Sequence, residues 1–160
     1  MFIIKTLYKL FVTIRAKQCG INLHVNGWSK VSKNTILGNN VNFNGIQISG
    51  DGIVRIGDNF HSGKGCLIIA QNHNYDKGVS IPYDKTYISR GVVIEDNVWI
   101  GDRVIILDGS KIGEGAIIQA GSVVAGNIPP LSISGGHPAK PFKSRDKEHY
   151  YRLKNEKKFF

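Results

Sequence analysis

The stretch Ile94–Pro129 divides without remainder into six hexads: IEDNVW, IGDRVI, ILDGSK, IGEGAI, IQAGSV and VAGNIP. An aliphatic residue heads each one, at Ile94, Ile100, Ile106, Ile112, Ile118 and Val124. Four residues after each of the first five stands a small or β-branched side chain: Val98, Val104, Ser110, Ala116 and Ser122. No α-helix has a period of six, and a simple alternating strand marks every second position instead. A short strand followed by a turn does repeat at six. Its aliphatics point inward, and Gly, Asp and Asn form the corners. The chain therefore reads as an all-β stack of strand–turn units.

The pattern continues upstream with interruptions. Ile56, Ser62 and Ile68 keep the six-residue step, and Leu37–Val41 opens an earlier coil. From Ile68 to Ile94 the register is lost and then recovered, with about twenty residues more than one step. This marks a loop thrown out of the stack over roughly residues 71–90, and such loops usually carry binding residues. Downstream, regularity ends at Pro129-Pro130. Pro138 and Pro141 then precede a charged segment, Lys143–Lys158, which reads as a helix or a partly ordered tail. One domain is expected over 1–160, with an N-terminal helix in 1–20, coils in 31–128 and an extension in 129–160.

Nineteen of 160 residues are glycine, with only five prolines and no collagen period, as many tight turns require. The net charge of +9 sits at the two ends. Residues 1–17 hold Lys5, Lys9, Arg15 and Lys17 and no acid. Residues 18–139 hold nine basic and nine acidic groups, and residues 140–160 hold eight basic and three acidic ones. Basic ends suit phosphates, anionic lipid or nucleic acid, or are simply solvated. Ile3, Ile4, Leu7, Leu10, Phe11 and Ile14 recur at helical spacing between the cations. This amphipathic helix packs on its own protein or a sister subunit, or touches a membrane surface peripherally. It is too broken for a spanning helix and a poor secretory signal. Two cysteines, Cys19 and Cys66, are too few for a disulfide framework, so a reducing, cytoplasmic setting is expected, with the inner face of the membrane as a possible station.

The hexads resemble those of the hexapeptide-repeat acyltransferases. The resemblance covers about residues 31–143 and implies a left-handed parallel β-helix with three hexads per triangular coil. RIGDNFHSGKGCLIIAQNHNYD (Arg55–Asp76), IEDNVWIGD (Ile94–Asp102) and GSVVAGNIPPLSISGGHPAK narrow it to sugar and xenobiotic O-acetyltransferases of the galactoside/maltose type. The short basic start looks like the subgroup from surface-polysaccharide biosynthesis.

The resemblance assigns His73 as catalytic base. Acetyl transfer to an alcohol needs a group that takes the hydroxyl proton as oxygen attacks the thioester, and imidazole suits that near neutral pH. Asn44 matches an asparagine that holds the acceptor or the developing oxyanion, and Trp99 matches an active-site tryptophan. Gly101, Asp102, Ala120, Lys140 and Lys143 match positions lining acetyl-CoA, the expected acyl donor. Ala125-Gly126 departs from a common Thr-Lys, which removes one expected phosphate contact. Tyr75, Asp76 and Tyr83, in the inserted loop, are candidates for the carbohydrate acceptor. A homotrimer with active sites between subunits is implied.

The activity expected is thus transfer of acetyl to a carbohydrate hydroxyl. Xenobiotic O-acetylation, amino-sugar N-acetylation and a catalytically silent scaffold are the alternatives. No metal is expected, since no two histidines are spaced as ligands on one coil. Nucleic acid is not expected as a partner, since no reader motif accompanies the basic ends.

Overall fold

The computed structural model describes residues 2–160. The chain winds into a triangular parallel β-solenoid with three faces. The first carries Gln18–Cys19, Thr35–Leu37, Val54–Ile56, Val92–Ile94, Lys111–Ile112 and Asn127–Ile128. The second carries His24–Val25, Asn42–Phe43, His61–Ser62, Trp99–Ile100, Ile117–Ile118 and Ser132–Gly136. The third carries Ile46–Ser49, Cys66–Ile69, Ile105–Leu107 and Val123–Val124. Coils therefore begin at Gln18, before the hexads are legible, and end at Gly136, beyond them. Ala139–Ser144 then folds back antiparallel on Ser132–Gly136 and ends the second face.

The hexad aliphatics make the core. Leu37, Ile56, Ile94, Ile112 and Ile128 stand in one column on the first face. Ile48, Ile68, Ile106 and Val124 form a column on the third. All are buried, and each is worth about 1.5–3 kcal/mol of burial. Ile56 stands beside Ile94, 38 positions on, and Ile94 beside Ile112, 18 positions on. The excess locates the inserted loop at the corner between third and first faces.

The corners have their own chemistry. Between first and second faces, Asn22, Asn40, Asn59 and Asn97 all take positive φ, a conformation asparagine tolerates better than most residues. Their side chains form a ladder, each donating to the next at 3.0, 2.9 and 2.8 Å. The stack ends on the Tyr150 hydroxyl, 2.9 Å from the Asn97 amide nitrogen. Tyr150 belongs to helix α2 (Lys147–Asn155), capped by Asp146, whose carboxylate accepts from the His149 N–H at 2.7 Å. The charged tail is thus a docked helix, with Tyr150 buried.

Helix α1 (Phe2–Arg15) lies on the first coil. Val12 is buried there, with Tyr8 and Ala16 packed beside it. Among the described residues no helix is long and apolar enough to cross a membrane. Cys19 and Cys66 are free, and burial pushes both thiols above their ordinary range.

Candidate functional site

Two corners of the prism carry the residues singled out by sequence. The first lies between third and first faces, where the inserted loop leaves and returns as a pair of antiparallel strands, Asn72–His73 against Tyr87–Ile88. Asn74 closes the neck, its N–H donating to the Thr86 carbonyl at 3.1 Å and its amide to the Thr86 hydroxyl at 3.0 Å. Asp84 orders the far side by accepting from the Thr86 hydroxyl and the Thr86 and Val79 N–H groups. Those bonds, the Thr86 hydroxyl foremost, hold its carboxyl below the usual carboxylate range.

His73 is half-buried at the base of this loop. Its ring stacks on Tyr83 at 3.7 Å between centroids, nearly parallel at 16°, and meets Tyr87 at 4.7 Å. Its Nδ1 is buried and has no hydrogen-bond partner, an arrangement that costs about 1–3 kcal/mol if left unmet. Tyr83, expected to meet an acceptor, lies against the imidazole. Tyr75 and Asp76 are exposed beyond it.

The second corner lies between second and third faces and forms a ridge along the solenoid. Register aligns Asn44 with Gly63, Gly101 and Gln119 on successive coils, and Ala120 stands next to Gln119. Coils are spaced about 4.8 Å apart. The Asn44 amide donates to the Ser62 carbonyl at 2.7 Å and accepts from Asn26 at 3.2 Å. The Asp102 carboxylate accepts from the Lys64 N–H at 2.8 Å. Asp96 does the same for the Asp58 N–H one corner away, so both aspartates staple neighbouring coils.

Gly101 has a packing reason to lack a side chain: a Cβ there would stand 2.6 Å from the Ala120 nitrogen. Ala120 is exposed. The back-folded strand brings Lys140 opposite Gly135 and Lys143 opposite Ile133, both lysines exposed. Gly136, beside them, donates its N–H to Ser122 of the same ridge at 3.1 Å. Lys140 therefore joins the ridge, while Lys143 lies farther back over the second face.

Trp99 is exposed on that second face, beside His61. With Arg145, Tyr150, Lys154 and Phe160 they line a cavity of about 200 Å³. Burial lowers the His61 imidazole below its ordinary range. Sequence reading did not anticipate this cavity. Its one signal was that His61 and Trp99 hold the same place in two coils.

Within one chain the two corners stay apart. Asn44 and His73 sit at opposite ends of the third face, whose strand Ile46–Ser49 alone spans about 13 Å. The single chain thus presents a histidine corner and a separate ridge, each convex. Among the described residues no group of three His, Cys, Asp or Glu is placed to hold a metal ion.

The family model of the bacterial transferase hexapeptide (six repeats) matches residues 91–126. Among solved structures, a galactoside acetyltransferase in complex with coenzyme A is similar at a TM-score of 0.74. Its identity is 29%, over 89% of this chain and 71% of that one. A hexapeptide-repeat-containing acetyltransferase of Vibrio cholerae O1 biovar eltor, complexed with acetyl coenzyme A, gives 0.73 at 27% identity, over 87% and 76%. A maltose O-acetyltransferase from Clostridium difficile 630 gives 0.64 at 28%, over 82% and 68%.

Proposed function

We propose that this hexapeptide-repeat chain is an acetyl-CoA-dependent O-acetyltransferase acting on a carbohydrate hydroxyl in surface-polysaccharide biosynthesis. The observation that carries the reading is His73. It is an aromatic-clamped imidazole, with one buried nitrogen unpartnered, on a fold shared with acetyltransferases whose structures hold coenzyme A or acetyl-CoA.

The residues divide the work as follows. His73 takes the acceptor's hydroxyl proton as its oxygen attacks the thioester carbonyl. The tetrahedral adduct collapses with loss of the thiolate, and the imidazolium returns the proton to sulfur. Asn44 donates to the oxyanion, which requires its amide to turn from Ser62. Gly101, Asp102 and Ala120 line the donor's arm along the ridge. Lys140 and Lys143 meet its phosphates, and Trp99 walls one side. Tyr75 and Asp76 meet the sugar.

His73 and the ridge serve one reaction only if a second copy brings its ridge against this chain's histidine corner. Three copies around an axis parallel to the solenoid make three such clefts, so the active species is a homotrimer. The fit of Asn44 to the same cleft follows from that arrangement.

The test is release of free thiol from acetyl-CoA against a panel of sugars, nucleotide sugars, amino sugars and antibiotics, with products read by mass spectrometry. Sedimentation is run on the same protein. O-acetylated sugar made by a trimer is the expected result. An N-acetylated or antibiotic product would reassign the acceptor. Absence of both turnover and CoA binding would make the coil a scaffold.

A further inference from the structure

Helix α1 uses only one side to hold the solenoid. Val12, Tyr8 and Ala16 face the first coil. On a helical projection, Ile3, Leu7, Leu10 and Ile14 lie on the opposite side, and they are 74%, 58%, 53% and 75% exposed. Ile4 and Phe11 widen the stripe on one flank. Trp28, which meets Tyr8 at 5.5 Å and Phe11 at 5.1 Å, adds an exposed indole at its border. This is far more apolar surface than a solvated helix tolerates.

The charges beside the stripe are of one sign. Lys9, Arg15 and Lys17 are exposed, and none is in an ion pair among the described residues. Lys5 reaches the solenoid, donating to the Asn26 side chain at 3.0 Å. No carboxylate lies within residues 1–17. A second copy laid against this stripe would bring like charges together with no acid to answer them. It would also offer a seam only about 21 Å long, marginal for a helix pair. An anionic lipid surface answers both features, since it takes apolar side chains to the acyl boundary and pairs the cations with headgroup charge.

We propose that α1 is an interfacial anchor, seating the N-terminal end of the solenoid on an anionic membrane surface through Ile3, Leu7, Leu10, Phe11 and Ile14, with Lys9, Arg15 and Lys17 on the headgroups. The helix lies on the membrane and does not cross it. This assignment does not rest on the acetyl-transfer reading, because none of Ile3, Leu7, Leu10, Phe11, Ile14, Lys9, Arg15 and Lys17 is given a part in that reaction.

The experiment is co-sedimentation of the full chain with large vesicles, either phosphatidylcholine alone or with about 30 mol% phosphatidylserine. Binding should require the anionic lipid and fall steeply between about 0.1 M and about 1 M salt, as screening shortens from ~10 to ~3 Å. Leu7→Ser combined with Leu10→Ser should lower partitioning at least about tenfold. Lys9→Gln should lower it about fivefold, the equivalent of about 1 kcal/mol per cation. Both changes are at exposed positions, and an unchanged melting temperature verifies folding. Three outcomes overturn the proposal. One is no binding to the anionic vesicles. Another is binding untouched by the serine pair. The third is self-association that the serine pair abolishes, which would give the stripe to a second copy.

Discussion

Replacing His73 by alanine removes the one group assigned to move a proton, and it separates chemistry from folding and from donor binding. The loss of general-base catalysis is about 10²–10⁴ in kcat, equivalent to a barrier raised by about 2.7–5.4 kcal/mol. The structural loss is smaller. The ring gives up its stack on Tyr83 at 3.7 Å and its tilted contact with Tyr87 at 4.7 Å, worth about 0.5–1.5 kcal/mol each. Removal of the unpartnered buried Nδ1 offsets part of that. No core column is touched, and the loop keeps its Asn74–Thr86 and Asp84 bonds. The melting temperature should fall by only a few degrees, at roughly 2–4 °C per kcal/mol for a chain of this size. The donor should still bind, since Gly101, Ala120 and Lys140 lie at another corner. The assays are thiol release from acetyl-CoA, calorimetric titration with CoA and a thermal melt. A folded, CoA-binding His73→Ala protein with near-normal turnover would refute the assignment and direct attention to His61.

Lys140→Ala with Lys143→Ala should raise the acetyl-CoA KM about tenfold or more with little change in kcat, because phosphate contacts lie far from the reacting carbonyl; a response in acceptor kinetics alone would displace the nucleotide from this strand. Gly101→Ala should destabilise by about 1–3 kcal/mol in a denaturant melt, since the new Cβ would stand 2.6 Å from the Ala120 nitrogen, and an unchanged midpoint would mean that the corner yields. Glu114→Gln tests the docking of α2. Burial alone would raise the Glu114 pKa, but the Lys154 ammonium and Tyr150 hydroxyl outweigh it and hold it low, whereas Glu114, the first cause, raises Lys154. A lowered carboxyl gives stability that is present above ~4.3 and lost as pH falls through its folded value. A raised ammonium gives stability complete below ~10.4 and lost as pH rises through its own. The variant should lose about 1 kcal/mol at neutral pH and flatten both windows, the figure staying small because Lys154 is partly solvated. A pH–stability profile identical to the parent's would show that the pair contributes nothing.

The core was legible because a solenoid repeats one environment: each sixth aliphatic enters the same interior, and Ile94 through Val124 are all buried. The first coil was not, because the helix above it replaces a neighbouring coil. Val12 then does the work of a hexad aliphatic, and Gln18–Cys19 and His24–Val25 need no hexad of their own. The asparagine ladder was missed for a similar reason. Its members stand 18, 19 and 38 positions apart, and only the first of these steps is a whole number of sixes. The hairpin of Ser132–Ser144 hid behind prolines, which mark a turn in sequence, whereas Pro141 lies inside an edge strand that needs fewer backbone donors.

On the proposed reading, the site can be read from sequence residue by residue but not as a set. A period-six count tells which face or corner a residue occupies, and so places Gly101 and Ala120 on one ridge. It says nothing of what crosses from one prism to another. Tyr83 illustrates the limit within the chain: a loop tyrosine ten residues from His73 in sequence lies flat on its ring, because the pairing of His73 with Tyr87 folds the loop back. In the proposed trimer, Asn44 illustrates it between chains. A triangular prism has flat faces and convex edges, and a reaction between two bound molecules needs a cleft with two walls. With His73 on one edge and the ridge proposed for the donor on another, the second wall has to come from outside the chain. On the proposed reading, assembly is therefore part of the active site, and substitutions that weaken it should cost turnover even where every residue of His73's own corner is intact.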